Sequence, residues 1–182
     1  MHGDDILADL TSSGVVTRVL LLTAAGGIDD RVEALSLGAD GVMIGMPYYN
    51  KPSQQGLIRH VQTVAKEIGG APVILYNIPG RTGVELSVES TLELLDSSPN
   101  VVAIKDATGN VMWCQELLRR AAGRVTLLSG DDPLTLPMMV VGASGVVAVS
   151  DTGSTTTVKF AGGGGQPSSA DSTGQLMLPE ML

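Results

Sequence analysis

The sequence predicts an α/β fold built on a parallel sheet, and three observations carry that prediction. Short apolar runs alternate with segments of helical period at intervals of roughly 20 to 30 residues. The runs are almost continuously apolar, as parallel strands are when both faces are covered, where half-solvated strands would alternate. The residues with chemistry to offer, Tyr48, Tyr49, Tyr76, Arg81, Lys105 and Asp131, all fall at or just after the carboxyl ends of those runs. That placement favours a (β/α) barrel and leaves a doubly wound sheet open as the alternative.

Residues 1–17 read as a poorly defined N-terminal segment, a short helix or a loose end, with a weak apolar period at Ile6, Leu7 and Leu10. Val19 to Leu22 is the first strand. After the break at Ala24 to Gly27, Asp29 or Asp30 can cap a helix through Leu37 that Gly38 ends. Gly41 to Ile44 is the second strand and Met46 to Ser53 a loop. Gln54 to Ile68 is then a helix with Ser53 as N-cap, its residues Leu57, Ile58, Val61, Val64, Ala65 and Ile68 forming one apolar face. Pro72 to Tyr76 is the third strand, NIPGRTG a loop, and Ser87 to Asp96 a helix.

Val101 to Ile104 forms the fourth strand, closed by Lys105, and Val111 to Ala122 is a helix that buries Leu117, Leu118 and Ala121 and stops at Gly123. Val125 to Leu128 is the fifth strand. Asp132 followed by Pro133 reads as an N-cap with proline at the first helical position, and Val146 to Val149 is the sixth strand. Past Asp151 the chain turns to Gly, Ser and Thr, so residues 18–152 are expected to form the folded unit and residues 153–182 a flexible tail. The run Gly162 to Gly165 lacks the Lys and Ser or Thr of a phosphate loop, so it does not suggest nucleotide binding.

Composition narrows the function classes further. A chain of 182 residues with 43% hydrophobic content can bury a sizeable core, and a net charge of −8 argues against nucleic acid or an anionic membrane as partner. The acidic amino terminus MHGDDILADL is unlike a secretory signal, and no apolar run is long enough to span a bilayer, so a cytoplasmic location is expected. The single cysteine, Cys114, reads as a packing residue. His2 and His60 have no second ligand at useful spacing, so neither metal chemistry nor a serine or cysteine nucleophile is supported, and no cofactor is expected.

Amine chemistry remains. A lysine at the end of a buried strand is partly desolvated, which favours the neutral, nucleophilic amine; the alternative is a lysine solvated or paired with Asp106. Lys105 can attack a ketone to form an iminium, an electron sink that lets the neighbouring carbon lose a proton. Tyr76, one strand earlier, can shuttle that proton with Tyr49 as its partner, and Arg81 offers a planar fork for a carboxylate.

Four segments carry a family resemblance: PYYNKPSQQGL at 47–57, LYNIPGRTG at 75–83, IKDATGN at 104–110 and LLSGDD at 127–132. Together, in register from Gly38 to Val149, the chain resembles the dihydrodipicolinate synthases, Schiff-base aldolases of lysine and diaminopimelate biosynthesis. The resemblance implies a (β/α)8 TIM-barrel type fold, here incomplete, with about six of the eight β/α units. It implies that pyruvate and L-aspartate 4-semialdehyde condense to 4-hydroxy-tetrahydrodipicolinate. Lys105 would form the imine with pyruvate and Tyr76 would relay protons. Tyr49 would be the relay tyrosine lent across a subunit interface in a homo-oligomer. Arg81 would meet the carboxylate of the semialdehyde, and Val147 would line the pyruvate pocket by its backbone.

Arg81 favours a synthase over N-acetylneuraminate lyases and other sugar-acid aldolases, which share the lysine but usually lack the arginine. The family's Thr-Thr-Gly-Glu segment, which binds the pyruvate carboxylate, has no counterpart; Thr11 to Gly14 carries no glutamate. The expectation is therefore a truncated or divergent synthase with lost or weak activity, a non-catalytic fragment being the remaining alternative.

Overall fold

The computed structural model describes residues 3–14, 18–22, 32–33 and 35–147. The Asp29 or Asp30 cap, the end of the sixth strand and the tail at 153–182 lie outside them. The described chain runs α1 (Gly3–Ser12), β1 (Leu20–Leu22), β2 (Gly41–Gly45), α2 (Gln54–Glu67), β3 (Val73–Asn77), α3 (Pro79–Thr82), α4 (Val88–Ser97), β4 (Val101–Asp106), α5 (Val111–Ala121), β5 (Thr126–Ser129), a 3₁₀ turn (Asp132–Leu134), α6 (Thr135–Val140) and β6 (Gly145–Val146).

The strands form one parallel sheet in the order β1-β2-β3-β4-β5-β6. Each pairs with its sequence neighbour, and nowhere does the order reverse. A doubly wound sheet must reverse at its switch point, whereas a barrel adds each strand to the same side of the last, so the strand order decides for an incomplete barrel.

Both faces of the sheet are covered, and by different things. On one face Val42, Ile44, Val73, Leu75, Ile104 and Leu127 pack with Leu57 and Val61 of α2, Leu94 of α4 and Leu117 of α5 in one continuous core. The other face carries a small cluster of Met43, Ile74 and Ala103, flanked by Leu20, Tyr76, Val102 and Val147, with no helical residue in it. This is the inner face of a barrel, filled in layers by side chains from adjacent strands. One layer is Met43, Ile74, Ala103 and Thr126; the next, toward the carboxyl ends, is Gly45, Tyr76, Lys105, Leu128 and Gly145.

Helix starts follow the expected chemistry. The Ser53 hydroxyl accepts from the Gly56 N–H at 3.4 Å and that of Ser87 from the Ser90 N–H at 3.1 Å, while the Asn110 side chain accepts from the Trp113 N–H at 3.1 Å. Several boundaries move. The NIPGRTG segment contains a helical turn, α3, with Pro79 at its start and Gly83 at φ 69° closing it. Strand β3 runs one residue further than expected, to Asn77, and β4 runs through Lys105 to Asp106. Helix α5 stops at Ala121 because Ala122 already adopts the left-handed conformation, and Leu118 is only partly buried. Asp131, not Asp132, takes the cap position of the 3₁₀ turn, without a side-chain cap bond.

Candidate active site

Lys105 and Asp106 end the same strand and face opposite ways. Lys105 shares the inner layer with Tyr76, whereas Asp106 points toward the helices, where its carboxylate accepts from Thr108 Oγ1 at 2.9 Å and from Cys114 Sγ at 3.4 Å. The alternation of a strand therefore excludes a Lys105–Asp106 ion pair. Lys105 is 4% exposed, with its Nζ 4.0 Å from the centroid of the Tyr76 ring. Burial alone holds its amine below the usual lysine range, with no carboxylate acting against it. Burial likewise raises the Tyr76 phenol, opposed by the charge of Arg81, which brings the arginine into the electrostatic environment of the pair.

Arg81 is exposed on α3 directly after β3. The segment that carries it is anchored by Asn77, fully buried, whose Oδ1 accepts the Leu86 N–H at 3.0 Å and whose Nδ2 donates to the Leu86 carbonyl at 3.3 Å and to Asp106 Oδ1 at 3.4 Å. Val147 borders the same inner cluster as Tyr76, and its N–H donates to the Ser129 carbonyl at 2.7 Å. Cys114 is buried and its thiol is pushed well above the usual range by that burial, which leaves it the packing residue expected from sequence.

Tyr49 stands apart from this group. It lies after β2 with its side chain in solvent, 93% exposed, and the chain does not bring it to Tyr76. Nearby, Lys51 adopts φ 41° and lays its stem against the Gly83 turn. Two positions of the site escaped the sequence reading: Asn77, which falls in the segment expected to be a loop, and Gly130, against which the Lys105 stem packs. The signal for the second was available, since glycine at a strand end marks close approach of another group. No group of three or more His, Cys, Asp or Glu among the described residues could hold a metal ion, and no helix among them is long and apolar enough to cross a membrane.

The chain that carries this amine and tyrosine at the carboxyl ends of its parallel strands is similar to known proteins over most of its length. The Dihydrodipicolinate synthetase family matches residues 7–159. The chain belongs to that family. Over 117 residues it is 61% identical to the 4-hydroxy-tetrahydrodipicolinate synthase of Sorangium cellulosum, covering 64% of this chain and 38% of that protein. Its fold superposes on the dihydrodipicolinate synthase of Aquifex aeolicus with a TM-score of 0.72 and 39% identity, covering 80% of this chain and 51% of the other. A chloride-inhibited dihydrodipicolinate synthase from Acinetobacter baumannii, complexed with pyruvate, matches with a TM-score of 0.68 and 36% identity, over 77% of this chain and 49% of that one. The chain thus spans about half the length of the family members it matches.

Proposed function

We propose that the chain carries the imine-forming site of a pyruvate aldolase that condenses pyruvate with L-aspartate 4-semialdehyde. The observation that carries this reading is the desolvated Lys105 amine stacked 4.0 Å over Tyr76, with Arg81 acting on the same phenol. The relatives named as 4-hydroxy-tetrahydrodipicolinate synthases, and the pyruvate complex of the Acinetobacter enzyme, support it.

The neutral amine of Lys105 adds to the ketone carbon of pyruvate, and the carbinolamine hydroxide takes the Tyr76 proton and leaves as water, which gives the iminium and the Tyr76 phenolate. The methyl group then loses a proton to the Tyr76 phenolate, leaving an enamine whose carbon forms the new bond to the aldehyde carbon. The aldehyde oxygen takes up the proton from Tyr76. Attack of the semialdehyde's own amine on the iminium carbon closes the ring and expels Lys105 as the free amine. Arg81 receives the semialdehyde carboxylate in this scheme, Val147 lines the pyruvate side and Tyr49 reaches the relay of a second copy in a homo-oligomer. The reaction needs no further cofactor, and its place is the cytoplasm. The complete cycle is proposed for this fold together with the Thr-Thr-Gly-Glu segment of the family, and imine formation for the residues described here.

Borohydride reduction in the presence of pyruvate tests the reading. Intact mass is expected to show one reduced-pyruvate adduct that maps to Lys105 and disappears in Lys105→Ala. An unmodified chain, or an adduct that survives the substitution, refutes it. Release of pyruvate from sugar acids, with none consumed beside aspartate semialdehyde, would assign the site to a sugar-acid aldolase.

A further inference from the structure

We infer that Gly130 is a positioning residue for Lys105: the absence of a side chain there makes the space in which the lysine stem lies, and so holds the amine over Tyr76. The inference rests on the imine-forming role proposed for Lys105 and extends it to the group that aims the amine.

Gly130 follows β5 directly. Its N–H donates to the Asp106 carbonyl at 2.7 Å, which ties its backbone to the end of β4 beside Lys105. It is not among the glycines with positive φ, so its backbone conformation is open to any residue. What excludes a side chain is space. A Cβ at 130 would lie 3.0 Å from the Asp106 carbonyl oxygen, 3.0 Å from the Ala107 Cβ and 3.1 Å from Lys105 Cε.

These three neighbours do not yield equally. The carbonyl oxygen and the Ala107 Cβ belong to the main chain or are attached to it, and both are held by hydrogen bonds: Asp106 O accepts from Gly130 and the Ala107 N–H donates to the Asn77 carbonyl at 2.8 Å. Lys105 Cε is the last carbon of a stem with four rotatable bonds. A methyl group at 130 is therefore accommodated chiefly by rotation of that stem, which carries Nζ away from the Tyr76 ring and out of its dry layer. In the imine, Cε and the pyruvate carbons lie in one plane, so the stem has less freedom to step aside and the same methyl group obstructs the intermediate as well.

Gly130→Ala tests this with two readouts that do not depend on each other. Trapping of the pyruvate imine by borohydride is expected to slow by about tenfold to a hundredfold, the scale on which small misplacements of a reacting group act. Without pyruvate, the pH dependence of Lys105 acetylation by acetic anhydride, followed by peptide mass spectrometry with Lys51 and Lys66 as internal references, is expected to shift upward toward that of an ordinary lysine. If the unsubstituted chain forms no adduct, the imine reading fails, and the acetylation profile still decides the role of Gly130. An acetylation profile identical to that of the unsubstituted chain overturns the inference.

Should Gly130→Ala not fold, the double variant Lys105→Ala/Gly130→Ala decides. A cooperative melt restored by removing the lysine stem supports the contact, whereas a double variant that stays unfolded while Lys105→Ala alone folds assigns the requirement for glycine to Asp106 and Ala107, and the inference falls.

Discussion

Lys105 and Asp106 are neighbours in sequence and opposites in surroundings, and each has a pKa moved by burial in the direction that favours its neutral form. The Lys105 amine titrates lower in the folded chain than in the unfolded one, so below the unfolded value, near pH 10.4 for a free lysine side chain, the unfolded chain binds the proton first. Stability is therefore lost as pH falls from that value to the depressed folded one, and is constant below it. Lys105→Met, which keeps the stem and removes the charge, should lack this loss. Urea denaturation should find it more stable relative to the unsubstituted chain at pH 7 than at pH 11, and a difference independent of pH would show that Lys105 carries no desolvation cost. The sequence placed Lys105 at a buried strand end, because an apolar run followed by a polar loop is a local pattern. It left open whether Asp106 paired with it, because which residue begins the loop decides which face the carboxylate takes, and that boundary moved by two residues.

Among the elements, those defined by capping and period were legible and those defined by distant partners were not. Helix α2 begins at Ser53 and α4 at Ser87 because a hydroxyl there satisfies an N–H of the first turn, information contained within four residues. The α3 turn and the extension of β3 to Asn77 depend instead on hydrogen bonds from Asn77 to Leu86 and to Asp106 of the next strand, nine and twenty-nine residues away. That clamp spans the segment holding Arg81, so it links packing to the site. Asn77→Ala leaves the buried Leu86 N–H without its acceptor and is expected to cost about 1–3 kcal/mol. Hydrogen exchange should localise the loss: the Leu86 amide is expected to lose protection while the β4 amides keep theirs relative to the lowered global stability. Equal loss at both would mean that Asn77 supports the whole sheet and not this segment.

At the scale of the whole molecule, strand order separates a barrel from a doubly wound sheet, and it was not legible because strand neighbours are set by long-range pairing that no local pattern records. The same limit applies to Tyr49. It lies after β2 with its side chain 93% exposed, and the role proposed for it is in the relay of another copy of the chain. Such an arrangement makes a distinctive prediction for mixed assemblies. Tyr49→Phe alone should slow exchange of the pyruvate methyl hydrogens for deuterium by about a hundredfold, the usual scale for loss of an acid–base group, and Lys105→Ala should abolish it. In a two-fold dimer formed from both variants, one of the two sites combines Lys105 of the Tyr49→Phe chain with Tyr49 of the Lys105→Ala chain and is complete. Unfolding and refolding the variants together at equal concentration would make half of the dimers mixed, so about a quarter of all sites should exchange at the unsubstituted rate. If Tyr49 acts within its own chain, every site lacks one group or the other, and mixing recovers nothing.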